Sequence, residues 1–163
     1  MNRYHHHCYG VQIIWLSFFI AIIFQTMPWP PQLYFLRPSW INLLLIYWVN
    51  ALPHRINVGT GFIIGLVIDL ILGSILGIRA LALSILAYLV VKFQLFQHMN
   101  IYLQALIVIL LSLTTQLIVF SVGFLVINLF FRPEIFWSSM IDGLLWPWLF
   151  LLMRKICYQF GVQ

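Results

Sequence analysis

The run Leu103-Gln-Ala-Leu-Ile-Val-Ile-Leu-Leu-Ser112-Leu-Thr-Thr-Gln116-Leu-Ile-Val-Phe-Ser121-Val-Gly123-Phe-Leu-Val-Ile-Asn128-Leu-Phe-Phe131 holds 29 residues without a charged side chain. As a helix it would extend ~43 Å at 1.5 Å per residue, more than the ~30 Å of hydrocarbon in a bilayer. The run therefore reads as a transmembrane helix that must tilt or break, with Gly123 as its weak point. The whole chain supports that medium. Of 163 residues, 64% are hydrophobic, 17% aromatic and 7% charged, with a mean hydropathy of +1.05. Soluble domains carry about 25% charged residues, and three acids with eight Lys or Arg cannot cover a soluble globule of this size. Disorder requires the opposite composition.

Outward from that run, a ruler of about 20 apolar residues per span divides the chain into six segments. They cover approximately residues 12–27, 38–52, 58–76, 79–93, 103–131 and 133–153. The first ends at Pro28, Pro30 and Pro31, and the second at Pro53-His54-Arg55. The second would be only ~22 Å long, which reads as a re-entrant limb and leaves five spans as the alternative count. The fold class is thus all-α, a polytopic membrane helix bundle. Residues 1–11 form an N-terminal tail, 12–155 a single transmembrane domain and 156–163 a C-terminal tail. No A-x-A site follows the first segment, which reads as a retained span rather than a cleaved signal. With six spans, Arg3, Arg55, Lys92, Arg154 and Lys155 fall on one side, and Arg37, Arg79 and Arg132 on the other. The excess of positive charge marks the cytoplasmic side and places both termini there. Trp29, Trp40, Trp137, Trp146 and Trp148 lie near span ends, as in an aromatic belt.

Ionisable groups inside a span are costly and invite a functional reading. Asp69, in Gly65-Leu-Val-Ile-Asp69-Leu-Ile-Leu-Gly73, lies ~16 Å into its segment, and Asp142 ~13 Å into the last. Two such acids suggest an aspartyl protease dyad, but the Gly-x-Gly-Asp pattern of intramembrane proteases is absent. Three readings stay open for Asp69: a structural acid paired with Arg79, an acid bonding a partner's helix, and an ion or proton relay. Asp142 reads as structural. Gly61 with Gly65 and Gly73 with Gly77 form G-x-x-x-G pairs, which make the third segment the packing helix. Pro147 predicts a kink. Gln25, Asn42, Asn50, Gln116, Asn128 and the Ser112/Thr114/Thr115 group are candidates for interhelical hydrogen bonds.

Little else carries chemistry. His5-His6-His7-Cys8 has no spacing that closes a coordination shell, and two cysteines make no disulfide framework. Phosphate-loop, zinc-protease and nucleophile-elbow motifs are missing, so no metal or cofactor is expected and the chain does not read as an enzyme. Despite a net charge of +5, the basic residues stand singly apart from Arg154-Lys155, which excludes a nucleic-acid surface.

Several stretches together resemble a known family. They are Ala51-Leu-Pro-His-Arg-Ile-Asn-Val-Gly-Thr-Gly61, Asp69-Leu-Ile-Leu-Gly-Ser-Ile-Leu-Gly-Ile-Arg79, Phe131-Arg-Pro-Glu-Ile-Phe-Trp-Ser-Ser139, Leu145-Trp-Pro-Trp148 and Leu152-Met-Arg-Lys155. They are similar to the MreD family of rod shape-determining proteins, and the likeness runs from Trp15-Leu-Ser17 and Met27-Pro-Trp-Pro30 to the C-terminus. The resemblance implies a non-catalytic scaffold in the bacterial inner membrane. Its partners would be the bitopic protein MreC and, in the same elongation complex, MreB, RodA and a penicillin-binding transpeptidase, supporting lateral peptidoglycan synthesis and rod shape. It also implies a fold similar to the substrate-binding subunits of energy-coupling-factor transporters, which leaves small-solute binding or transport as the alternative. On the scaffold reading, the partner docks on Gly59, Gly61, Gly65, Asp69 and Gly73, with Arg37, Arg79 and Arg132 at the outer face.

Overall fold

The computed structural model describes residues 3–28, 30, 32, 38–52, 54–93, 100–127 and 134–160; side chains within 3–11 and at 93, 127, 134–136 and 160 are not described. The described residues form six α-helices and no strand: α1 (Arg3–Thr26), α2 (Trp40–Ala51), α3 (Val58–Leu72), α4 (Ile78–Phe93), α5 (Ile101–Ile127) and α6 (Glu134–Phe160). The breaks follow the punctuation: α1 stops short of Pro28, α2 of Pro53, and α3 at Gly73. α1 begins at Arg3, so the histidine run is helical.

Polar and apolar groups occupy inverted positions relative to a soluble protein. Asp69, Asp142, Ser112 and Ser139 are fully buried, while Leu125 is 82% and Leu144 80% exposed. Phe19, Leu70 and Trp137 are also mostly exposed. Apolar surface on this scale suits lipid rather than water. Among the described residues one helix, α5, is by itself long and apolar enough to cross a bilayer, over Ile101–Val126. It continues through Gly123, so of the two expectations, tilt or break, the helix does not break there; a length of about 40 Å calls for tilt in a bilayer.

α2 is the centre of the bundle. Eight of its 12 residues, Ile41 and Leu43 through Val49, are buried, because it is apolar on every side and packs on α1, α4, α5 and α6. The Trp48 indole donates to Ser17 Oγ on α1 at 2.9 Å. α3 and α4 form a close antiparallel hairpin, and α5 and α6 a second one. In the first, small residues let backbones meet: a Cβ at Gly61 would lie 2.9 Å from Leu83 O, and one at Gly65 would collide with the backbone of Ala80. In the second, Gly143 faces the Ile109 side chain.

Two expectations need correction. α3 ends at Leu72 instead of near residue 76, so Gly73 and Gly77 are turn residues and not a packing pair. Neither has an atom within 4 Å of a built Cβ. Trp146 is fully buried and does not belong to an aromatic belt, whereas Trp137 and Trp148 are about equally exposed at 60% and 61%; Trp29 lies outside the described residues. Pro147 lies inside α6, which continues on both sides of it.

The hairpin contact yields a test. Gly65→Ala should cost about 1–3 kcal/mol by overpacking against immovable backbone, whereas Gly59→Ala, which meets nothing within 4 Å, should leave thermal unfolding of the purified protein unchanged or slightly stabilised.

Candidate functional site

Helix starts leave backbone N–H groups without partners inside the helix, and water is scarce in a buried interior. In this chain two carboxylates fill that need. Asp69, in the last turn of α3, accepts from Gly77 N at 2.9 Å and Arg79 N at 3.1 Å through Oδ2, both at the start of α4. Its Oδ1 accepts from Ser74 Oγ at 2.9 Å. The Arg79 guanidinium is 3.9 Å from Oδ1 and also reaches Ser74 Oγ at 3.3 Å. Meanwhile the Asp69 carbonyl accepts the Ser74 N–H at 3.1 Å, as Gly73 turns the chain with φ 60° and ψ 25°. Only glycine holds such left-handed geometry cheaply, and Gly77 at φ 101° completes the reversal. One aspartate thus closes the end of α3 and caps α4.

Asp142, two turns into α6, does the corresponding work for α2. Its Oδ1 accepts from Ser39 N at 2.7 Å. Ser39 is the N-cap of α2, and its side chain makes no cap bond within its own helix. The carboxylate therefore comes from a helix 103 residues away. A polar layer surrounds it between α2, α5 and α6. Asn42 donates to Thr115 Oγ1 at 3.1 Å, and Gln116 donates to Ser138 Oγ at 3.3 Å and Ser39 Oγ at 3.5 Å. Ser112 neighbours the carboxylate. Asp142 Oδ2 and Ser112 Oγ are both buried, and the Ser112 hydroxyl is placed to donate to the carboxylate.

The docking residues read from sequence separate on this structure. Gly61, Gly65 and Asp69 turn inward against α4 or its N-terminus. Gly59 is exposed and Gly73 sits in the turn. The Arg79 side chain is 37% exposed. Arg37 and Arg132 lie outside the described residues, as does Asn128. The Asp69–Arg79 pairing corresponds to the structural reading of that acid. Of the polar residues expected to bond between helices, Asn42, Thr115 and Gln116 do so, while Thr114 bonds back to Leu111 O at 2.7 Å within α5. Ser39, Ser138 and Ser139 were not singled out. A serine between Pro38 and the apolar α2 is an N-cap signal, and Ser139 stands one turn before Asp142.

Comparison with known proteins assigns the chain. The family described as rod shape-determining protein MreD matches residues 7–156. The chain belongs to the MreD family. It is 42% identical over 143 residues to the rod shape-determining protein MreD of Haemophilus influenzae, covering 86% of this chain and 88% of that one. The MreD match includes His7 and Cys8 but not His5 and His6. No solved structure matches, so the likeness to energy-coupling-factor subunits has no support here. Membership of the MreD family supports a rod shape-determining role.

The Asp69 knot predicts an ordered mutational series. Asp69→Asn can keep its oxygen on the Gly77 and Arg79 N–H groups, which turns the amide NH2 toward Ser74 Oγ and the Arg79 guanidinium, and should cost about 1–3 kcal/mol of stability. Arg79→Ala removes a partly exposed pairing at 3.9 Å and should cost less than about 1 kcal/mol. Thermal unfolding of the two variants in lipid gives the ranking, and equal losses would contradict it.

Proposed function

We propose that this MreD-family chain is a non-catalytic, multi-pass scaffold of the inner membrane with both termini in the cytoplasm. It binds the bitopic protein MreC and holds it with MreB, RodA and a penicillin-binding transpeptidase during lateral peptidoglycan synthesis. The observation that carries this reading is the family match over residues 7–156. Two physical features support it. The described chain is helix with short connections, so recognition must use helix faces. The polar residues that face inward are engaged in capping and interhelical bonds, which is architecture rather than a reacting constellation.

The docking surface we propose is the α3–α4 hairpin on its outward side. α3 is held mainly by α4, and its other face presents Phe62, Ile63, Val67 and Leu70 to the surroundings. Gly59 at its start and Arg79 at its far end border that face. Gly61, Gly65, Asp69 and Gly73 contribute indirectly, by fixing the hairpin on which the face is displayed.

Depletion in the native rod-shaped host should round the cells and abolish lateral incorporation of a fluorescent D-amino acid; rods of normal outline would refute the role. In cells that keep their shape, a photocrosslinking residue at Ile63 should capture MreC and one at Leu125 on α5 should not. Capture at both or at neither would remove the proposed face.

A further inference from the structure

The lipid-facing height of the α3–α4 hairpin is bounded by two cations, and both are held inward. A lysine or arginine near the end of a membrane helix ordinarily reaches out along its stem to the headgroups. Arg79, at the start of α4, is turned onto the hairpin instead, 3.9 Å from Asp69 Oδ1 and 3.3 Å from Ser74 Oγ. Lys92, in the last turn of α4, folds back one turn, with its Nζ 5.6 Å from the centre of the Tyr88 ring, inside the range of a cation–π contact. Both places meet the surroundings, since the Arg79 side chain is 37% exposed and Tyr88 51%. Arg79 and Lys92 are ~20 Å apart along the helix, and the backward fold of Lys92 brings the charges closer still. α3 has a similar height: Val58–Leu72 rises ~22 Å. The chain then turns where the Ser74 N–H returns to the Asp69 carbonyl at 3.1 Å, and the exposed Ile75 and Leu76 crown the face there.

The α5–α6 flank is taller. α5 is about 40 Å long, and on α6 the interval from Glu134 to Arg154 is ~30 Å, the thickness of an ordinary hydrocarbon core. α6 also runs ~12 Å past the start of α2, because Asp142 caps that start from well inside its own helix. We propose that the outward face of the α3–α4 hairpin is a lipid-contact surface fitted to a thin bilayer. Short acyl chains fill the height between Arg79 and Lys92, and longer ones are compressed against it. Compression costs free energy for each ångström of mismatch, so the membrane narrows from the α5–α6 flank to the α3–α4 flank. The inference concerns the chain by itself and does not rest on the docking reading. A helix that docked on this face would displace compressed lipid, and the mismatch would add to any attraction between the two.

The test is thermal unfolding of the full chain in nanodiscs of phosphatidylcholine whose monounsaturated chains have fourteen, eighteen or twenty-two carbons. Tm should be highest with the shortest chains and fall by about 3–6 °C to the longest. Lys92→Leu extends the apolar height of α4 and should at least halve that fall. Tyr88→Leu keeps the charge but frees the lysine to reach the headgroups, and should reduce the fall in the same direction. A Tm that is constant, or that rises with chain length as the long α5 alone would dictate, overturns the proposal. So does a fall that both substitutions leave unchanged, since the height would then be set elsewhere than at the cations of α4.

Discussion

The bundle depends on what happens to the N-terminus of a helix that begins away from water. α2 starts beside Asp142 of α6, well inside the helix that supplies its cap, and α4 starts against Asp69. Each start carries unpaired N–H groups and the positive end of a helix dipole. A carboxylate answers both, at a distance of 2.7–3.1 Å here. This is why a chain with three acids in all commits two of them to its interior.

The two caps differ in reach. Asp69 acts over ten residues and shapes one hairpin, whose close backbones are permitted by Gly61 and Gly65. Asp142 acts between α6 and α2 and so fixes how the second hairpin meets the central helix. Around it, Asn42, Thr115, Gln116 and Ser138 bond across helices, in a place where apolar packing alone has little directional preference. Polar bonds of this kind set register more than they add stability.

Much of the architecture was legible in the residues. Proline and glycine punctuation located the six helices, the brevity of α2 was visible between Pro38 and Pro53, and the spacing of Gly61 and Gly65 announced a close helix contact. The site was less legible, for identifiable reasons. Gly73 and Gly77 have the same spacing as a packing pair whether they lie in a helix or a turn, and the left-handed conformation that decides the matter is not written in the spacing. Counting from Val58 puts Asp69 ~16 Å into α3, yet the helix ends three residues later at Leu72, so the acid sits at the end of one helix and caps the next. Asp142 reads as structural, but what it holds is not legible, since its partner, Ser39, lies 103 residues away and only the folded chain brings them together. Trp146 was assigned to an interface by its position near a span end, yet its helix turns it into the core.

The central position of α2 also has a consequence for biosynthesis. Twelve residues rise about 18 Å, too little to cross the hydrocarbon unaided. The surfaces that bury them belong largely to α4, α5 and α6, all later in the chain. A ribosome working from N to C therefore releases α2 with only α1 in place beside it. The α3–α4 hairpin, by contrast, draws most of its internal contacts from neighbouring sequence, and α4 meets α5 only afterwards. Local pairs form readily while distant ones must wait. Assembly is thus ordered, with hairpins made early and α2 seated once α6 has arrived, so that the carboxylate completing its start is carried by the last helix to be translated.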